Sequence, residues 1–105
     1  MEDIVKAIAK YPNKEMFLIE WANGFKIEAE LDTIYETCND LEYGEPGYKE
    51  YRASCFRIKK ILQHSNESRD LKLTEGHLYE VSMEEPPVSL FLLSSGNLIW
   101  QNSIG

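Results

Sequence analysis

Cysteine and histidine are scarce in this chain: Cys38, Cys55, His64 and His77 are the whole supply. Two cysteines cannot form the dense disulfide framework of a small secreted domain, so both thiols are expected to be reduced. No Cys-x-x-Cys pair exists, and the histidines do not sit at the spacing a metal-binding helix needs. Long apolar runs are missing too. The densest, Val88-Ser89-Leu90-Phe91-Leu92-Leu93, falls far short of the roughly 20 residues that span a bilayer. Lys6 and Lys10 break up residues 1–11, which therefore lack the apolar core of a secretory signal. Reduced thiols and no such signal point to the cytoplasm, away from membranes. Cations are in short supply as well. Eleven Lys plus Arg face eighteen Asp plus Glu, for a net charge of −7, which counts against nonspecific binding of nucleic acid or an anionic lipid surface.

What is present suits one packed domain over residues 1–105. Apolar residues make up 43% of the chain, and six Tyr, four Phe and two Trp supply aromatic bulk. A domain of this size buries roughly 65% of its unfolded surface and folds without staples.

Ile4, Ala7, Ile8 and Tyr11 recur at helical spacing, predicting a helix over 2–11 that Pro12 stops. Ten residues with one apolar stripe are not stable alone, so the helix must cap something else. Met16–Trp21 is rich in strand formers, and Ala22-Asn23-Gly24 supplies a tight turn. The return strand alternates, with Phe25, Ile27, Ala29 and Leu31 on one face and Lys26, Glu28, Glu30 and Asp32 on the other. Ile34 is out of phase with that series, which predicts a bulge near Asp32-Thr33.

Residues 38–50 lose periodicity and collect Gly44, Pro46 and Gly47, the mark of a long loop. A third strand is expected from Tyr51 to Leu62, where the apolar positions shift from Ala53 and Cys55 to Phe56 and Ile58; Cys55 is read as a core residue. Residues 63–76 form a polar connection that Leu71 and Leu73 could anchor. His77–Met83 is another strand, and Val88–Leu93 with Leu98–Trp100 make a last hairpin. The fold class is mostly β (α+β): one short N-terminal helix capping a bent antiparallel sheet, or a small partly open barrel, of about five to six strands.

No constellation of residues supports catalysis. Neither cysteine has a local base with a third group to orient it. His64 and His77 with Asp70 and Glu75 read as a polar loop rather than a metal site. Gly44 and Gly47 are flanked by carboxylates where a phosphate would require cations. Glu28, Glu30 and Asp32 form a regular row on a wet strand face, which discourages edge pairing. The chain is therefore expected to be no enzyme and to hold no cofactor.

Charge is distributed unevenly. Between Glu28 and Glu50 lie eight acids (Glu28, Glu30, Asp32, Glu36, Asp40, Glu42, Glu45 and Glu50) against Lys49, which accounts for the whole net charge. Tyr35, Tyr43 and Tyr48 lie in the same window. Carboxylates steer encounter with a cationic partner, and tyrosines give anchoring area. This pattern predicts a stoichiometric binder of a basic protein through Glu28, Glu30, Asp32, Glu42, Tyr43, Glu45 and Tyr48. An immunity or inhibitor protein that occludes a nuclease toxin would have these properties. The alternative is a small-barrel nucleic-acid or regulatory module using Arg52, Arg57, Lys59 and Lys60. These cations do not share one alternation phase, however, and cross-strand pairing with the acidic strand is the simpler expectation. Phe91-Leu92-Leu93 would cover both faces of its strand, one of them against a second copy or within the sheet centre.

Overall fold

Asp3 opens the N-terminal helix. Its carboxylate accepts the Val5 N–H at 2.7 Å, the arrangement of an N-cap. The helix α1 runs only over Ile4–Ile8, shorter than the expected 2–11, and Ile4, Val5, Ala7 and Ile8 are all buried. In the computed structural model, residues 2–38, 41–64 and 74–102 are described. The connection anchored by Leu71 and Leu73 falls mostly outside them, as does Asp70.

Six strands follow: β1 (Met16–Glu20), β2 (Lys26–Cys38), β3 (Glu50–Gln63), β4 (Leu78–Val81), β5 (Ser89–Leu92) and β6 (Leu98–Gln101). They make one antiparallel sheet in the order β4-β3-β2-β1-β5-β6. Asn23 and Gly24 build the β1–β2 turn. The Asn23 side chain accepts the Phe25 N–H at 3.0 Å, and Gly24 takes φ 92°, where a side chain would be strained and its Cβ would meet Gln63.

The sheet is curled, not closed into a barrel. Helix α1 touches both β3 and β6, which three other strands separate. In a flat sheet that span is roughly 19 Å at about 4.8 Å per strand, too wide for a five-residue helix to bridge. The N-terminal segment also ties the two sheet margins together. The Trp100 indole on edge strand β6 donates to the Glu2 carbonyl at 2.7 Å, while the Ile4 N–H reaches the Met83 sulfur, just after edge strand β4, at 3.4 Å.

The concave side is the core. Phe17 and Ile19 of β1, Ile27, Ala29 and Leu31 of β2, Phe56 and Ile58 of β3, Val81, Leu90 and Trp100 are buried against the helix. Phe17 lies edge-on to both Tyr11 (5.6 Å) and Phe56 (5.4 Å).

Bulges reconcile the long strands with this core. The expected phase slip in β2 is there: Leu31 pairs with Phe56 and Thr33 with Cys55, leaving Asp32 as the extra residue. In β3 the shifts fall at Lys59 and Leu62, not between Cys55 and Phe56. The residue before Phe56 on the core side is Ser54, fully buried, whose hydroxyl donates to the Val81 carbonyl at 2.8 Å. Cys55 is therefore not a core residue. It points to the convex face and is half-buried.

The candidate partner-binding surface

Strands β2 and β3 outrun their neighbours. β1 pairs with β2 only from Lys26 to Glu30, and two further backbone bonds join Leu31 to Lys14 and Glu15. Beyond the Asp32 bulge, β2 and β3 continue as an arm, Thr33–Cys38 against Glu50–Cys55, flanked by β4 at Ser54 and Cys55 and two-stranded from Tyr35 and Ala53 outward. The loop at its far end carries Glu42 and Glu45 of the acidic window, with Lys49.

Two successive turns shape that loop. The Glu45 N–H bonds to the Glu42 carbonyl and the Tyr48 N–H to the Glu45 carbonyl, both at 3.0 Å. Gly44 and Gly47 occupy the third position of each turn with φ 93° and 84°, and Pro46-Gly47 has the residue order a type II turn requires. The double turn brings Tyr43 and Tyr48 into edge-to-face contact with ring centroids 5.6 Å apart. Tyr43 remains 87% exposed, whereas Tyr48 is half-buried. Partial desolvation, then the neighbouring Glu50 carboxylate, pushes the Tyr48 hydroxyl above its ordinary pKa.

The seven residues singled out from the sequence fall into three groups. Glu42, Tyr43, Glu45 and Tyr48 gather at the tip. Asp32 stands alone and exposed on the bulge. Glu28 and Glu30 lie on the convex sheet face, opposite Lys60 and Arg57 in register, and Lys59 approaches Glu30 at 3.8 Å. Ten residues of β2 separate Glu28 from Cys38, roughly 33 Å of strand. Arg57 also donates to the Gly76 carbonyl at 2.9 Å. Among the described residues only Lys59 of the four β3 cations forms an ion pair with β2, so the expected cross-strand pairing is met there and not at Arg52, Arg57 or Lys60.

At the tip the balance differs. Lys49, the one cation of the acidic window, is drawn to Glu84 at 2.8 Å. Among the described residues, Glu42 and Glu45 form no ion pair. The tip and the bulge therefore keep their negative charge.

Sequence reasoning missed the clasp that steadies the arm. Tyr35 on β2 and Tyr51 on β3 both donate to Glu80 of β4, at 2.6 and 3.2 Å. Burial first, then the bond to Glu80, raises the Tyr35 pKa well above the ordinary phenol range. Glu80 lies outside the acidic window, and only the register Cys55↔Glu80 brings it to the arm. Burial also pushes up the Cys55 thiol, with Asp32 adding and Arg57 opposing.

Residues 1–104 match the profile of a family described as cognate immunity protein YxxD. The chain belongs to that family. No curated protein and no solved structure matches it. Membership in a cognate immunity family implies a toxin that the chain binds. Among the described residues, no helix is long and apolar enough to cross a membrane, and no group of three His, Cys, Asp or Glu could hold a metal. His64 and His77 are exposed, with the Thr74 N–H donating to His77 Nδ1 at 3.2 Å.

Proposed function

We propose that this immunity protein neutralises a basic, nucleic-acid-cleaving toxin by stoichiometric occlusion, with the tip of the β2–β3 arm as the docking element. The supporting observation is the uncompensated charge at that tip. Glu42 and Glu45 flank an exposed tyrosine, and the nearby lysine is committed to Glu84. Carboxylates in solvent raise the rate of encounter with a cationic surface, and Tyr43 and Tyr48 supply the desolvated anchor. Asp32 extends the negative surface along the arm, and Glu28 and Glu30 border it on the convex face. The chain contributes no catalytic group to this mechanism. It acts in the cytoplasm by covering the partner's active site.

The test is co-expression with the toxin encoded in the reading frame adjoining this chain's gene. Cells survive when the wild-type chain is present, and a 1:1 complex weakens as salt rises. The double variant Glu42→Lys/Glu45→Lys loses protection. Unchanged affinity in that variant, or salt-independent binding, would overturn the basic-partner reading.

A further inference from the structure

Beyond Leu31, β2 has lost β1 as a neighbour. Among the described residues, Thr33–Cys38 pairs with β3 on one side and with nothing on the other. Every second residue of a strand directs its N–H and C=O to one edge, so this stretch presents a row of open backbone donors and acceptors. Such an edge is a template for another strand. Its side chains are exposed except for the half-buried Ile34 and Thr37, and the Tyr35–Glu80–Tyr51 clasp holds it in extended form.

Its charge selects the occupant. Asp32 and Glu36 are exposed along it, and Glu36 forms no ion pair among the described residues although Arg52 faces it in register. A second copy of the chain pairing antiparallel about Ile34 would set Asp32 directly against Glu36 on both sides of the axis. Like charges directly opposite destabilise a strand pair. A strand carrying Lys or Arg at those positions gains where the second copy loses.

We propose that the free edge of β2 over Thr33–Cys38 accepts an extended, cation-bearing segment of the cognate toxin as a seventh strand. This deepens the reading above and rests on it. The tip supplies the encounter and the tyrosine anchor, while the edge supplies a ladder of backbone hydrogen bonds.

Amide hydrogen exchange tests it, using the toxin that the chain neutralises in co-expression, inactivated by mutation. In the free chain, alternate amides of Thr33–Cys38 exchange fast, unlike those of Ala29 and Glu30, which have strands on both sides. In the complex the fast amides slow by about 100-fold. Glu36→Lys keeps the fold, read by its thermal midpoint, and weakens the complex by about 10-fold or more. A 1:1 complex of wild-type affinity in which these amides stay fast overturns the docking edge and leaves the inhibitor reading standing. Protected amides with unchanged affinity in Glu36→Lys overturn the cationic occupant. Failure of the toxin to form any complex overturns both.

Discussion

Tyr43 packs edge-on against Tyr48 across a double turn, their centroids 5.6 Å apart, while 87% of Tyr43 stays in solvent. A large aromatic held in place yet left uncovered has paid its ordering entropy before any partner arrives. Tyr43→Ala should therefore cost the toxin complex about 2 kcal/mol, roughly a 30-fold loss of affinity. The free protein's stability should move by less than about 0.5 kcal/mol, because so little of the ring is buried. Calorimetric titration and a thermal melt of the same variant separate the two. Unchanged affinity would remove the tip from the interface.

The core carries the opposite expectation. Phe17 is fully buried at the centre of the concave face, edge-on to Tyr11 and Phe56. Phe17→Ala leaves a cavity that a curled sheet pinned by its N-terminal segment cannot close. A loss of about 3–5 kcal/mol is expected, read as a drop in the urea midpoint. A domain of this size has about 5–15 kcal/mol in all, so the variant should sit near the unfolding threshold.

Much of this architecture was legible in the sequence because alternation is a local signal. The concave series Phe25, Ile27, Ala29 and Leu31 shows directly which face of β2 is dry, and Ile34 out of phase marks the Asp32 bulge. Strand β3 was harder. One of its buried residues is a serine, Ser54, whose hydroxyl is satisfied by the Val81 carbonyl, so the apolar letter beside it, Cys55, misleads: it is only half-buried. The helix was overestimated because Glu2 and Asp3 look like first-turn residues until Asp3 proves to be the cap. At the candidate surface, composition grouped seven residues in one window, of which the fold gathers only Glu42, Tyr43, Glu45 and Tyr48 in the loop at the end of the arm. Glu28 and Glu30 share a strand with Asp32, yet long-range register places them beside Lys60 and Arg57. Register also created the Glu80 clasp, from residues that neither periodicity nor spacing connects.

That clasp has a consequence in alkali. Tyr35 is held protonated, by burial and then by the bond to Glu80, above the pKa of an unfolded tyrosine. When pH rises past about 10, the unfolded chain releases this proton and the folded chain keeps it, so the folded state binds more protons and stability falls as pH climbs. Below the unfolded value the contribution is fully present. Glu80→Gln removes the carboxylate's charge, so Tyr35 should titrate earlier, though burial still keeps it above the ordinary value. A tyrosinate absorbance titration of the two proteins checks this, and superimposable curves would refute it.

The seam between the sheet margins is the last place where one bond has a large structural consequence. Trp100 is only 5% exposed, and its indole N–H to the Glu2 carbonyl joins edge strand β6 to the residues preceding α1. Trp100→Phe keeps an aromatic ring in the core but removes that donor. The net cost of one such bond is about 1 kcal/mol, with a smaller addition for the lost ring volume. The distribution of the damage is the sharper test. Amides of Ile4–Ile8 and Leu98–Gln101 should exchange faster together, because the N-terminal segment holds them to each other, while β2 and β3 keep their protection. Equal loosening across all strands would mean that the seam is not a separate closure and that the curl is maintained by the bulges alone.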